Sequence, residues 1–233
     1  MNRLDDRIHT PLISVVMTNY NNGKFLNASI DSVLVQTFDR FELIIVDDDS
    51  TDNSVSIISK AAKSDDRIRT IMNDTNMGLA HSLNKGFRAA RGQYVCFIDS
   101  DDLFKPQRLE KMISSLASAK GEIAYTDIFL LNEEGLIVRE SCIDLKHFPP
   151  EGDAYNFILG DWIWGQATVM FPALAAKEIG YFDESLSWGV DFEYLLRLTK
   201  RYKLTVIREP LYGYRRHRTS MTSLTPLKSK GEA

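Results

Sequence analysis

Three short clusters hold the polar groups able to do chemistry: Thr18-Asn19-Tyr20, Asp47-Asp48-Asp49 and Asp99-Ser100-Asp101-Asp102. The third is the densest. It follows the apolar run Tyr94-Val95-Cys96-Phe97-Ile98, which no polar residue interrupts and which reads as a buried strand. Two carboxylates about 4 Å apart repel by roughly 4 kcal/mol at an effective dielectric near 20. A hard divalent cation offsets that repulsion directly, taking carboxylate oxygens and leaving room for waters and substrate phosphates. The Asp99-Ser100-Asp101 spacing suits this, because alternate residues of an extended segment point the same way. The plainer alternative is an acidic turn capping a helix that starts near Pro106.

Each cluster closes a strand-like run. Residues 12–17, 41–46 and 94–98 are apolar and rich in β-branched or aromatic side chains, and 68–72 is a further short strand. Between them, Phe25, Ile30, Val33 and Leu34 recur at helical spacing, as do Val55, Ile58 and Ala62. Ser50 to Asp52 are N-cap candidates for the second of these helices. Residues 79–90 form a third helix stopped by Gly92, and Leu109, Met112, Ile113 and Leu116 mark a fourth beginning near Pro106. Alternation of strand and helix predicts βαβ units and a parallel sheet, whose ligands bind beyond the carboxyl ends of the strands. All three polar clusters fall at such ends, which favours one site over three solvated turns.

After Gly121 the rhythm changes. Residues 123–131 and 136–140 flank Asn132-Glu133-Glu134-Gly135 as a hairpin. Residues 154–159 read as a short helix, 167–171 as a strand, 172–179 as a short helix, 191–202 as a longer one and 204–207 as the last strand. The expected architecture is an α/β, mostly parallel central sheet flanked by helices, with a smaller mixed region. Residues 1–120 form a βαβ half and 121–220 the second half of the same domain, and 221–233 are expected to be a flexible tail.

Composition narrows the function classes. The 233 residues are 44% hydrophobic and 26% charged, ordinary for a globular chain. The net charge of −4 and the lack of a basic stripe argue against nucleic acid as a partner. Two cysteines, Cys96 and Cys142, make a disulfide framework implausible and point to a reducing, cytoplasmic setting. The first residues lack the apolar core of a signal peptide, and no apolar run of about 18 residues is present.

Five ordered blocks then carry a resemblance: SVVMTNYNNGKFLNASIDSVLVQTF, ELIIVDDDSTDNS, NMGLAHSLNKGFRAARGQYVCFIDSDD with Pro106 after it, FDESLSWGVDFEYLLRL, and YRRHRTSMT. Together they resemble the family 2 glycosyltransferases of GT-A fold. The resemblance implies transfer of a sugar, with inversion, from a nucleoside diphosphate (UDP or dTDP) to an acceptor hydroxyl, with Mn2+ or Mg2+ as cofactor. The implied acceptor is a saccharide or a lipid-linked saccharide in bacterial polysaccharide or glycoconjugate synthesis. A peripheral position on the inner face of the cell membrane is compatible with this.

Residue by residue, the resemblance implies that Thr18 and Tyr20 line the nucleobase and ribose. Asp48 accepts from the base imide, and Asn76, Gly78 and Asn84 lie beside the nucleoside. Asp99 faces the ribose, with Ser100 on the same nucleotide-sugar side. Asp101 binds the metal, and His217 reaches metal or diphosphate. Arg215, Arg216 and Arg218 either steady phosphate charge or form a solvated basic loop. Asp191 is the implied catalytic base, although Val190 stands where the family usually has Glu. Trp162, Trp164 and Trp188 are placed on the acceptor side. The competing readings are a nucleotidyltransferase, a module that binds nucleotide sugar without turnover, and a purely structural domain.

Overall fold

The computed structural model describes residues 11–118, 122–143, 148–160 and 166–220. The first half alternates as expected: β1 (Ile13–Asn19), α1 (Gly23–Leu34), β2 (Phe41–Asp47), α2 (Ser54–Ser64), β3 (Ile68–Met72), α3 (Leu79–Ala89) and β4 (Tyr94–Asp99). Then come β5 (Leu103–Phe104), α4 (Arg108–Ser118), β6 (Ile123–Leu131), β7 (Ile137–Arg139), α5 (Tyr155–Gly160), β8 (Val169–Pro172), α6 (Ala175–Ile179), α7 (Val190–Arg201) and β9 (Leu204–Arg215). The strands form one sheet in the order β3-β2-β1-β4-β8-β6-β9-β5, with β7 paired to β6. The β3-β2-β1-β4 half is parallel. From β8 onward the sheet is mixed: β8 runs antiparallel to both β4 and β6, and β9 runs parallel to β6.

Period-two alternation divides the core between the two faces of the sheet. Val16 of β1 and Val95 and Phe97 of β4 face a cluster that takes Leu83 and Phe87 from α3 and Tyr194, Leu195 and Leu198 from α7. Val15, Met17, Cys96 and Ile98 face the other cluster, with Leu26, Ile30 and Val33 from α1, Ile58 from α2 and Leu109 and Met112 from α4. Full burial of a side chain of this size contributes about 1.5–3 kcal/mol, so the apolar runs are held rigidly in register. Their polar ends are therefore carried to one edge.

Four expectations are corrected. Helix α2 begins at Ser54 with Asn53 at the cap position and no side-chain cap bond there. The Asp52 carboxylate instead accepts from the backbone N–H of both Ser54 (2.9 Å) and Gly23 (2.8 Å), tying the starts of α2 and α1 together. Residues 166–168 form a 3-10 turn before β8, and the helix expected from 172 starts at Ala175, because Pro172 closes β8. The last strand runs to Arg215, well past 207, and pairs with β5, which the periodicity did not reveal. Gly92 does not end α3, whose last residue is Ala89. It lies against β1, where a Cβ would come within 2.6 Å of the Ser14 backbone nitrogen and 2.8 Å of the Ile13 carbonyl carbon. That is backbone contact, which cannot rotate away. Gly92→Ala should therefore destabilise the protein by about 1–3 kcal/mol, the usual cost of overpacking. Urea denaturation measures it, and an unchanged midpoint would refute the close approach.

Candidate active site

The parallel register sets the edge. Thr18 of β1 lies between Val46 of β2 and Asp99 of β4, and Asn19 pairs with Asp47. The loops leaving β1 and β2 are stitched together by side chains. Asn19 Nδ2 donates to Asp47 Oδ2 (2.7 Å) and to Ser50 Oγ (3.1 Å). Asn21 Oδ1 accepts from Thr51 N–H at 2.8 Å. Asn21 and Asp49 both take left-handed backbone, φ 54° and 64°, which short polar side chains tolerate best. Thr18 is buried, and Tyr20 stands on the rim at 49% exposure, so its ring does not close the core.

Asp48 is buried and holds the loop that precedes α3. Its Oδ1 accepts from Asn73 Nδ2 (2.6 Å) and Met77 N–H (2.9 Å), and its Oδ2 from Gly78 N–H (2.8 Å). It caps neither α1 nor α2. A carboxylate offers about four acceptor directions, and these bonds use three. Gly78 sits at φ +87° with open space where a Cβ would stand, so backbone conformation, not crowding, demands glycine there. Asn76 is exposed. Asn84 is buried, and its amide meets the 182–184 segment instead of the loop at Gly78.

The β4 end is clamped by β9. Asp102 is buried; Tyr212 Oη donates to its Oδ2 (2.5 Å) and the Arg215 backbone N–H to its Oδ1 (2.8 Å). Burial, with the charges of Asp101 and Asp99 beside it, pushes the Asp102 carboxyl well up from its usual range. The helix-capping role open to Asp102 in sequence is thus replaced by a bond to a distant strand. Asp101 Oδ2 stands 2.7 Å from His217 Nε2, and His217 Nδ1 stands 2.9 Å from Thr219 Oγ1, which orients the ring. The His217 ring packs on Phe25 with centroids 4.5 Å apart. Arg215 Nε donates to the Asp101 carbonyl (2.7 Å), and the same guanidinium reaches the carbonyls of Asn132 and Glu133. Arg215 is therefore scaffold, whereas Arg216 and Arg218 are exposed and line a cleft with Glu133 and His217. Ser100 is buried and accepts from Asn22 Nδ2 at 3.1 Å.

Asp99 lies within electrostatic reach of Asp191. Burial first, then the charges of Asp101 and Asp191, push the Asp99 carboxyl up to about 7. Asp191 is the second residue of α7, and burial raises its carboxyl too, opposed by the Phe192 backbone N–H. Val190 is buried in the core beside Tyr194 and Leu195, so at this position the chain has a packing residue. Trp188 is exposed at 45%; Trp162 and Trp164 lie outside the described residues.

The arrangement thus gathers Asp99, Asp101, His217 and Asp191 at one sheet edge, with Asp48 and Thr18 along it. Among the described residues no group of three or more His, Cys, Asp or Glu side chains converges as a metal cage. A carboxylate oxygen facing an imidazole nitrogen is nevertheless a suitable partial donor set for Mn2+ or Mg2+, which often draw remaining ligands from phosphate and water. Residues that sequence reasoning missed are Asn22, Phe25 and Tyr212, which have no chemistry of their own and act by contact with Ser100, His217 and Asp102.

Comparison with known proteins decides the family. The model of "Glycosyl transferase family 2" matches residues 14–141. This chain belongs to glycosyl transferase family 2. It is 32% identical over 213 residues to an uncharacterized glycosyltransferase of Methanocaldococcus jannaschii, covering 88% of this chain and 71% of that protein. It is 34% identical over 160 residues to the putative teichuronic acid biosynthesis glycosyltransferase TuaG of Bacillus subtilis, covering 69% of this chain and 62% of TuaG. Among solved structures, S. aureus TarS in complex with UDP-GlcNAc superposes with a TM-score of 0.77 at 20% identity, over 91% of this chain and 61% of that one. The mannosyltransferase PcManGT of Pyrobaculum calidifontis, in complex with GDP-Man and Mn2+, gives 0.65 at 19%, over 88% and 56%. These likenesses establish the GT-A fold expected from the sequence. Among the described residues, no helix of this glycosyltransferase is long and apolar enough to cross a membrane.

The buried Asp102–Tyr212 bond yields a stability test. Tyr212→Phe keeps the ring and removes the donor, leaving a buried carboxyl under-satisfied at a cost of about 1–3 kcal/mol. Chemical denaturation reads this directly; a variant as stable as the parent would show that the bond contributes nothing.

Proposed function

We propose that this family 2 glycosyltransferase is a metal-dependent, inverting enzyme. It moves a sugar from a UDP-sugar, or a dTDP-sugar, to a hydroxyl of a saccharide or lipid-linked saccharide in bacterial polysaccharide or glycoconjugate synthesis. Residues 1–120 supply the donor site and 121–220 the acceptor side and the base. The observation that carries this reading is the Asp101–His217 pair, 2.7 Å apart, at the strand end where the buried Asp99 carboxyl also feels the charge of Asp191, on α7. TarS and PcManGT, which share the fold, are bound to UDP-GlcNAc and to GDP-Man with Mn2+, respectively.

In the proposed reaction the acceptor oxygen attacks the anomeric carbon from the face opposite the diphosphate. The new C–O bond forms as the bond to the diphosphate oxygen breaks, and Asp191 takes the acceptor's proton. A group that must accept a proton is helped by a basicity above that of an ordinary carboxylate, and burial gives Asp191 that shift. Asp101 and His217 would hold the divalent cation, which when bound supplies Lewis-acid stabilisation of the leaving diphosphate. Asp99 and Ser100 face the ribose and sugar side; Thr18, Tyr20, Asp48, Asn76 and Gly78 form the nucleoside side. Asp48 keeps one acceptor direction for the base. Tyr20, exposed on the rim, is free to lie against the base face.

Three outcomes test this. Asp191→Asn should leave nucleotide affinity within about threefold and lower kcat by at least about 100-fold, the scale of general-base contributions. With the parent enzyme, kcat/KM should fall as pH drops through an apparent pKa above the ordinary aspartate value of 3.8, because the neutral carboxyl cannot accept the proton. Unchanged turnover in Asp191→Asn removes it from the mechanism. In a Mn2+ titration, Asp101→Ala should abolish metal-dependent binding of UDP; undiminished affinity would place the cation elsewhere.

A further inference from the structure

Asn84 makes three hydrogen bonds, all to one short segment about 100 residues later in the chain. Its Oδ1 accepts from the Phe182 backbone N–H (2.9 Å), while its Nδ2 donates to the Phe182 carbonyl (2.9 Å) and to Glu184 Oε1 (2.7 Å). The amide thus imitates a neighbouring strand and grips Phe182 from both sides. Glu184 is held further by His81, whose Nδ1 lies 3.2 Å from Oε2. The ring of Phe182 is wedged between the two elements that carry the acids. It stacks on Tyr194 of α7, centroids 4.1 Å apart at 26°, and meets Phe97 of β4 edge-on at 5.3 Å. Tyr194 is three residues beyond Asp191 in the same helix, so the two lie on one helix face; Phe97 is two residues before Asp99 in the same strand. Asn84 itself belongs to α3, whose start at Gly78 is held by Asp48.

We propose that Asn84 is a positioning residue: by gripping Phe182 it sets the distance of Asp191 from Asp99, and so aligns the proton-accepting carboxylate with the donor sugar. The proposal rests on the glycosyl-transfer reading above. It differs from the nucleoside contact implied by family resemblance, since both ends of the amide are already occupied by the 182–184 segment. Because α3 runs from the Asp48 loop to this grip, a donor that tightens the Asp48 loop would also steady the base.

The test uses the full chain with UDP and Mn2+ as the binding probe and, for turnover, whichever nucleotide sugar the parent consumes. Asn84→Ala is expected to lower kcat at least about 50-fold, with donor KM and UDP affinity within about threefold of the parent. Amide hydrogen exchange across residues 182–194 should quicken about tenfold or more, and exchange in β1 and β2 should not change. Glu184→Ala removes one of the three bonds at a side chain that is 41% exposed and is expected to give the same split with a kcat loss of about fivefold. That variant decides the matter should Asn84→Ala fail to fold. Loss of UDP affinity in step with kcat would overturn the proposal and return Asn84 to the donor site. Unchanged kcat with unchanged exchange would overturn it as well. If the parent turns over no nucleotide sugar, the transfer reading fails, whereas the exchange measurement still decides whether Asn84 holds the segment that precedes Asp191.

Discussion

The interaction on which the site depends is the grip of β9 on the acidic end of β4. Asp99 and Asp102 flank Ser100 and Asp101 at the end of β4, and at both of these acids desolvation and like charges work against ionisation. Tyr212 and the Arg215 N–H satisfy Asp102, His217 faces Asp101, and the Arg215 guanidinium fixes the intervening backbone. With Asp102 biased toward its neutral form by burial and neighbouring charge, its oxygens satisfied by Tyr212 and Arg215, and Asp101 matched to an imidazole, the cluster is tolerable in the folded chain. Phe25 completes the grip from α1, lying against both His217 and the Arg215 guanidinium, the latter 5.1 Å from the ring centre.

The two halves of the sheet serve different ends. The parallel half presents several strand termini in one direction, which creates a shallow polar edge suited to a nucleotide. The mixed half brings α7 and the residues after β9 to the same edge from later in the chain. Neither half alone unites Asp99, Asp101, His217 and Asp191. The insertion of β8 between β4 and β6 makes the halves continuous and lets the aromatic group of Phe87, Phe97, Phe171, Phe182 and Tyr194 pack beneath the junction.

Much of this was legible in the sequence because the strongest signals were local. Largely apolar runs mark β1, β2 and β4, broken only by Ser14 and Glu42, and the polar residues that end them identify the edge. The family blocks then point to Asp101, Asp191 and His217, which the fold brings to that edge. What stayed hidden depends on partners distant in sequence. The role of Asp102 is set by residues more than 100 positions away. The extent of β9 was obscured by Pro210 and Gly213, which weaken a strand pattern, and β5 is only two residues long. Gly92 reads as a helix stop in sequence, yet its reason is a β1 backbone that passes beside it. The amide of Asn84 looks like any polar residue on a helix until the 182–184 segment folds across it.

That Asp101 and Asp102, just after β4, are satisfied by β9 and the residues following it has a consequence for biosynthesis. A ribosome making this chain exposes Asp99, Asp101 and Asp102 long before it makes Tyr212, Arg215 and His217. Until those residues emerge, Asp102 has no tyrosine or backbone donor and Asp101 no imidazole, so the nascent chain carries an unfinished, self-repelling edge. Completion of this edge therefore waits for β9 to be made, and the contact that completes it spans more than a hundred residues, a topology associated with slow docking.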